Sequence, residues 1–219
     1  MTEALHLDHV LIGVRELAAA TARLRREHGL VALPGGVLAG GLRNAIVPFG
    51  DGQYLEMLAL DEPGPDLTPA QQWIADATAG GDRLVWFAVR PDDLDAVAQR
   101  TGRRVIDNVA HREGGPMQGG WRSVWPATGA RSGLPFFIEY VMPWREQKAV
   151  RDTNYARAAS PAQPGSIAAI DVSGVDAAEL WSWLGVTTDA LPLRLVHGRP
   201  LPGISAVRIA APSGEITIT

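Results

Sequence analysis

The stretch "HVLIGVRELAAATARL" (residues 9–24) passes from an apolar strand pattern into a helix pattern, and the chain repeats it. The same order returns in "LVWFAVRPDDLDAVAQR" (residues 84–100), with one residue inserted after the strand. A short apolar run predicts a buried strand, and apolar residues three or four apart predict an amphipathic helix. Repetition of a whole strand-and-helix unit indicates an internally duplicated fold.

Three further extended segments follow each copy and complete a βαβββ module. In the first module the clearest are "LRNAIVPFG" (residues 42–50) and "QYLEMLAL" (residues 53–60), joined by the turn signal Gly-Asp-Gly. The last strand of the second module is "LPFFIEYVM" (residues 134–142). We therefore predict modules over residues 5–60 and 82–142, within one domain that spans residues 1–145.

A third, smaller unit is predicted at the end of the chain. The polar residues 146–165 predict a linker, after which "SIAAIDVSG" predicts a strand and "DAAELWSWLG" a helix. Three short strand patterns then close residues 166–219. The expected fold class is α+β, with two tandem βαβββ modules and a smaller βαβββ-like C-terminal module.

The composition narrows the classes of function. The chain has 219 residues, 46% of them hydrophobic, a net charge of −4 and no cysteine. The acidic balance argues against nucleic acid as a partner, and the lack of cysteine excludes disulfides and a cysteine nucleophile. Neither a signal-peptide pattern nor an apolar run of membrane-spanning length occurs, so we expect a cytoplasmic protein that does not bind membranes.

A glutamate lies within the last strand of each of the first two modules. Glu56 stands in residues 54–60, which are apolar on both faces, and Glu139 stands in the corresponding strand of the second module. An unpaired carboxylate in such a strand costs several kcal/mol, so each glutamate needs a positive partner. A metal ion is one candidate; Arg43 and Arg122, as partners in structural ion pairs, are the other.

These motifs resemble the vicinal oxygen chelate superfamily. The resemblance rests on "LDHVLIGVREL" at the start of the chain, "GLRNAIVPFGDGQYLEML" after it and "LPFFIEY" in the second module. It covers residues 5–142 and points more narrowly to the glyoxalase-like domain group. The superfamily includes glyoxalase I, extradiol dioxygenases and metal-free bleomycin-resistance proteins. The resemblance implies that the two modules form a cupped mixed β-sheet around a pocket.

The same resemblance implies a divalent metal ion inside that cup. Carried over by position, its ligands would be His9, Glu56 and Glu139, whereas Leu84 stands where a fourth ligand is expected. Three nitrogen and oxygen ligands suit Zn, Ni, Fe or Mn and leave room for a substrate. His111 is the nearest other side chain in sequence that could supply the fourth ligand.

Other polar and aromatic residues are candidates for contact with a substrate. Arg43 and Asn44 open the third strand of the first module, where they could orient an oxygen atom of the ligand. A Gly-rich segment of the second module carries His111, Trp121 and Arg122, and an aromatic wall with arginine suits an organic ligand that has an acidic or carbonyl group. The alternative is a hairpin loop with packing tryptophans.

The resemblance implies an enzyme that acts on a small oxygenated organic substrate. The expected activity is that of a metal-dependent lyase, isomerase or dioxygenase, in which Glu56 or Glu139 serves as the general base. The alternative is a metal-free protein that binds or sequesters a small molecule, which Leu84 favours. We also expect a homodimer, assembled through the strands of the third module.

Overall fold

A computed structural model describes residues 4–38, 40–108, 120–186, 190–197 and 202–219. The strands are β1 Leu5–Gly13, β2 Leu33–Leu38, β3 Leu42–Pro48, β4 Tyr54–Leu60, β5 Arg83–Pro91, β6 Ile106–Asn108, β7 Trp121–Val124, β8 Phe136–Tyr140, β9 Ile167–Ser173, β10 Leu193–Val196, β11 Gly203–Ala211 and β12 Gly214–Ile218. The helices are α1 Leu17–His28, α2 Pro69–Thr78, α3 Leu94–Thr101, α4 Trp144–Ala158 and α5 Ala177–Leu184, and a 3-10 turn spans Gly129–Ser132.

The first two modules share one eight-stranded sheet of order β2-β3-β4-β1-β5-β8-β7-β6. Within each module the first strand pairs in parallel with the last, β1 with β4 and β5 with β8. The modules meet where β1 and β5 pair in an antiparallel manner. The sheet curls into a half-barrel, which confirms the predicted α+β fold with tandem βαβββ modules.

The curled sheet has two apolar faces, which we call the outer face and the inner face. The outer face packs against α1, α3 and a second sheet, and its core includes Val10, Met57 and Phe137. The inner face carries a separate cluster made of Leu11, Leu42, Leu58, Ile74, Val85, Trp86, Ala88, Phe136, Ile138 and Tyr140. Because side chains alternate along a strand, neighbouring residues of β4 and β8 fall into different clusters.

Helix α2 closes part of the inner face. It follows the first module and begins at Thr68, whose hydroxyl accepts from the Gln71 backbone N–H in a capping box. Ile74 is fully buried in the inner cluster, and the ring of Trp73 meets the edge of Trp86 at 5.8 Å. Helix α2 therefore covers part of the inner face.

The C-terminal module has the predicted order of elements but a different strand order. Its four strands are arranged β10-β9-β11-β12, so the first strand, β9, pairs in parallel with the strand that directly follows helix α5. In the other two modules the first strand pairs in parallel with the last. The second sheet covers the outer face, where β11 packs against β5.

The predicted linker, residues 146–165, includes most of helix α4, and this corrects the prediction. Residues 144–158 are rich in Arg, Glu, Gln, Lys and Ala, which favour helices. The helix buries Gln147, Arg151 and Ala158, which lie on one face at helical spacing. Two of these buried residues are polar, so the segment lacks the apolar periodicity by which helices are recognised.

Among the described residues, none of the helices combines the length and the apolar character needed to cross a membrane.

Candidate functional site

His9 lies on β1 at the centre of the inner face. It is 2% exposed, and its ring stacks on that of Tyr54 with 4.5 Å between centroids and 9° between planes. The edge of Phe136, from the second module, lies 5.7 Å away. Both modules therefore fix the orientation of this imidazole.

A β-bulge brings Asp8 beside His9. Leu7 pairs with Val89 and His9 with Ala88, so Asp8 is an extra residue in β1 without a partner on β5. A bulge lets two successive side chains depart from the usual alternation. As a result Asp8 and His9 are both buried, and Asp8 Oδ1 lies 2.8 Å from His9 Nδ1.

The Asp8 carboxylate is held by two more partners. Tyr140 donates its hydroxyl to Oδ1 at 2.7 Å, and Arg151 of α4 donates to both oxygens at 3.1 and 3.2 Å. Burial alone would raise the pKa of Asp8, but the charge of Arg151 and the hydrogen bond to His9 hold it well below its usual range. Asp8 is therefore ionised at neutral pH.

Glu56 approaches His9 from the opposite side. Its Oε2 lies 3.6 Å from His9 Nε2, and Asn44 donates to its Oε1 at 2.7 Å. The Glu56 side chain is 14% exposed, against 3% for His9. Asp8, His9 and Glu56 thus form a row of carboxylate, imidazole and carboxylate, in which Glu56 is the member most accessible to solvent.

Two glycines of β2 position Asn44. Pro34 pairs with Ala45 and Val37 with Arg43, so Gly35 and Gly36 form an irregularity opposite Asn44. Gly36 donates its backbone N–H to Asn44 Oδ1 at 2.6 Å. This bond directs the Asn44 amide N–H₂ towards Glu56.

Substitution Gly35→Ala is expected to displace Asn44 and to lower the free energy of unfolding by about 1–3 kcal/mol. A Cβ at position 35 would stand 1.8 Å from Asn44 Oδ1 and 2.7 Å from its backbone oxygen. Urea unfolding measures the change. Gly64→Ala is the matched control, because a Cβ at Gly64 meets nothing within 4 Å; equal effects of the two substitutions would contradict the prediction.

Glu139, the third predicted ligand, makes its described contacts away from this row. Its Oε2 accepts from Arg122 Nε at 2.8 Å, and Arg122 also reaches Asp95 of α3 at 3.0 Å. The structure therefore realises the ion pair with Arg122 that the sequence left open as an alternative. The Glu139 side chain lies on the opposite side of β8 from its inner-face neighbours Ile138 and Tyr140.

A one-residue offset explains the difference between the two glutamates. When "YLEML" of β4 is placed over "FFIEY" of β8 without a gap, Glu56 corresponds to Ile138, not to Glu139. Phe136 and Tyr54 then correspond, and both contact His9. Because a shift of one residue exchanges the faces of a strand, Glu139 falls on the other face from Glu56.

Leu84 does not lie on the inner face either. The pairing of β1 and β5 is irregular between Leu11 and Ile12, and Leu84 packs in the outer cluster while Val85 and Trp86 both belong to the inner cluster. The second module therefore contributes Trp86, Phe136 and Ile138 to the inner face. Among the described residues, no three His, Asp or Glu side chains form a group that could hold a metal ion.

Within the part of the chain that the structure describes, the donor set near His9 therefore does not fit a catalytic metal site. His9 Nε2 and Glu56 Oε2 supply two ligand atoms, and both come from the first module. Catalytic zinc sites use three protein ligands. His111, the other candidate for a ligand, lies outside the described residues.

The other predicted substrate-binding residues are dispersed. Arg43 bonds Asp61 at 2.6 Å and is 52% exposed, and Arg122 is held by Glu139 and Asp95. Trp121 packs at the border of the inner cluster. Asn44 is the one of these residues that contacts the row directly.

An aromatic wall does line the inner face, although mainly through residues not singled out in the sequence. Trp86 lies at its centre, with its ring 5.0 Å from both Trp125 and Phe136 in edge contacts. Trp125 is 37% exposed. This wall gives a ligand beside Glu56 an apolar surface to pack against.

Sequence reasoning missed Asp8, Tyr54, Tyr140 and Arg151. An acidic residue directly before a histidine in a buried strand was a usable signal for Asp8. Burial raises the pKa of Tyr140, so its hydroxyl keeps the proton that it donates to Asp8. Helix α4 offers no such signal for Arg151, because two of the three residues on its buried face are polar.

The stability of the protein is expected to decrease on acidification through Asp8. Since the folded-state pKa of Asp8 is lowered, its contribution is complete above the unfolded pKa of about 3.9 and is lost as pH falls towards the folded value. The loss is on the order of 2 kcal/mol. Urea unfolding between pH 5 and 2.5 should show a steeper decline in wild type than in the double variant Asp8→Asn/Arg151→Met; parallel declines would contradict this.

Comparisons with known proteins agree on the fold. The model of the glyoxalase-like domain family matches residues 7–188. A hypothetical protein from Staphylococcus aureus superposes with a TM-score of 0.61 at 15% identity, over 97% of this chain and 84% of that one. Methylmalonyl-CoA epimerases from Mycobacterium tuberculosis (22% identity, 60% of this chain and 84% of that one, TM-score 0.43) and Streptomyces coelicolor (21%, 63% and 95%, 0.45) are more distant in structure. No curated protein matches the sequence.

Proposed function

Because the chain belongs to the glyoxalase-like domain family, within the vicinal oxygen chelate superfamily, we propose that it is an enzyme that transfers a proton on a small oxygenated organic molecule. The observation that carries the proposal is the buried row of Asp8, His9 and Glu56, which lies beside the aromatic side chains of the inner face. A row of this kind, with ionisable groups at fixed distances beside an apolar wall, is typical of acid–base catalysis.

Glu56 is the general base in this proposal. Asn44 holds its Oε1, which leaves Oε2 directed at the hollow and at His9 Nε2. Oε2 would accept a proton from a carbon or hydroxyl of the bound molecule, next to its carbonyl group. His9 Nε2, 3.6 Å away, would receive that proton from Glu56 or return it.

Asp8 is a positioning residue for His9. Its hydrogen bond to Nδ1 fixes the imidazole with Nε2 towards Glu56, and its negative charge stabilises the imidazolium that forms when Nε2 is protonated. Arg151 and Tyr140 hold Asp8 in place. The three groups therefore keep the imidazole ready for proton transfer without contact with the substrate.

The test is solvent deuterium exchange on a panel of substrates. Small hydroxy acids, keto acids, aldehydes and acyl thioesters are incubated with the protein in D₂O, and loss of the proton next to the carbonyl is followed by NMR. We expect catalysed exchange with at least one chemical class. No exchange above the rate without protein, across the whole panel, would count against the proposal.

Metal content is a separate expectation. Since the described donors are only two, we expect less than stoichiometric transition metal in protein purified without affinity nickel, and exchange that withstands a chelator. Elemental analysis before and after EDTA gives the result. One metal ion per chain that is lost in His9→Ala would restore the metal-dependent mechanism predicted from the sequence.

The second candidate is a metal-free binding protein. The apolar half of the inner face favours it, because Trp86 and Ile138 contribute no ligand or acid–base group. The exchange panel separates the two candidates: a compound that binds saturably at the hollow without exchange supports binding alone, whereas exchange supports the enzyme.

A further inference from the structure

A cleft that is not lined by His9 or Glu56 opens where α4 meets the ends of β1, β5 and β8. Its volume is about 760 Å³. Residues 190–192 of the C-terminal module form its far wall, and Leu5, Trp144 and Leu191 give it apolar surface. We call it the Arg90 cleft, after the guanidinium that lines it.

Arg90 lacks a hydrogen-bond partner among the described residues. Its Nε is buried without a partner, and the nearest carboxylate oxygen, Asp8 Oδ2, lies 3.9 Å away. Its guanidinium instead stacks on the ring of Trp144 at 3.8 Å. A guanidinium stays charged in proteins, and its two terminal nitrogens, which donate no hydrogen bond to a described residue, can bind the oxygens of a ligand.

The other charged residues of the Arg90 cleft already have partners. Arg151 is bound to Asp8, and Lys148 is bound to Asp152. Among the acids, Asp92 lies 3.6 Å from His6, Glu139 is bound to Arg122, and Asp51 accepts from the Gln53 backbone N–H. Arg90 is therefore the cation of the described lining that donates no hydrogen bond, and its nearest carboxylate is that of Asp8 at 3.9 Å.

We propose that the Arg90 cleft binds the oxyanion of a small organic ligand, a carboxylate or a phosphate, against Arg90 and Trp144. The planar fork of arginine suits bidentate contact with such oxygens. Trp144, Leu5 and Leu191 then contact the apolar part of the ligand. This site goes beyond the proposed function and holds whether or not the hollow beside Glu56 is catalytic.

Isothermal titration of the full chain with acetate, benzoate and inorganic phosphate tests the proposal. We expect saturable binding of at least one probe with one site per chain. Arg90→Gln should weaken that binding by about 10- to 100-fold, whereas Arg26→Gln, on the exposed surface of α1, should leave it unchanged. Phosphate binding most tightly indicates a phosphorylated ligand, and benzoate binding most tightly indicates an aromatic carboxylate.

Three further variants keep the test decisive. If Arg90→Gln does not fold, Arg90→Lys keeps the charge but loses the fork, and Trp144→Leu removes the stacking surface; both should weaken binding. Glu56→Gln should bind the probes as wild type does, which assigns the binding to the Arg90 cleft and not to the other hollow. No saturable binding of any probe, or unchanged binding in the folded Arg90 and Trp144 variants, would overturn the proposal.

Discussion

Replacing Arg151 by methionine is expected to lower the free energy of unfolding by about 3–5 kcal/mol, because it leaves a buried carboxylate without its counter-charge. Arg151 is the closest cation to Asp8, with nitrogen–oxygen distances of 3.1 and 3.2 Å, and both residues are buried. Arg90 cannot replace it, since its Nε lies 3.9 Å from Asp8. Urea unfolding at pH 7 measures the loss.

Arg157→Met is the matched control for this prediction, because Arg157 lies on the exposed side of the same helix. We expect a change within about 0.5 kcal/mol there. The double variant Asp8→Asn/Arg151→Met should recover part of the stability, since the charge that lacked a partner is gone. A loss below about 1 kcal/mol in Arg151→Met would show that Asp8 does not depend on this pair.

Substitution Glu56→Gln is expected to reduce catalysed deuterium exchange by about 10²- to 10⁴-fold, the contribution typical of a general base. Glutamine keeps the size of the side chain, and its Oε1 still accepts from Asn44. The fold should therefore persist, which circular dichroism and urea unfolding verify. The rate constant for exchange, measured by NMR on the best substrate of the panel, is the readout.

Glu139→Gln distinguishes the site seen in the structure from the ligand set predicted from the sequence. Glu139 is bound to Arg122 on the other side of its strand, so exchange should stay within about 3-fold of wild type, a change near 0.6 kcal/mol in barrier height. If both glutamine variants lost exchange to the same degree, the two glutamates would act together and the present assignment of the base would be wrong.

The sheet could be predicted from the sequence because its strands are marked by local apolar patterns and because the order of strand and helix is repeated. The apolar runs at residues 9–14 and 84–89 are each followed by a helix, and this order alone defines the modules. The third module was predictable in the order of its elements but not in its pairing. The parallel pairing of β9 with β10 depends on contacts between strands. The hydrophobic pattern of the sequence predicts the strands but not which of them pair.

The candidate site was predictable only in its first module. His9 and Glu56 both lie on the inner face, as the alternation of their strands indicates. Leu84 does not, because the pairing of β1 and β5 is irregular beside it, and Glu139 does not, because it stands one residue beyond the position that corresponds to Glu56. A repeat remains recognisable in the sequence after a shift of one residue. A set of ligands is lost, because the shifted side chain points to the other face of its strand.

The pair of Asp8 and Arg151 was beyond sequence reasoning for another reason. The two residues stand 143 positions apart, and the helix that carries Arg151 has no apolar stripe to reveal which side is buried. Only the folded chain shows that a polar helix fills the space beside a bulge in the first strand.

Helix α4 also sets an order of events during synthesis of the chain on the ribosome. The N-terminal strand can give Asp8 its hydrogen-bonded counter-charge only after residue 151 has left the exit tunnel, because Arg90, the earlier guanidinium near Asp8, comes no closer than 3.9 Å. Fragments that stop at the end of the eight-stranded sheet should consequently remain loosely folded. The first two modules form a complete sheet, yet their stable folding depends on helix α4, which is synthesised after both of them.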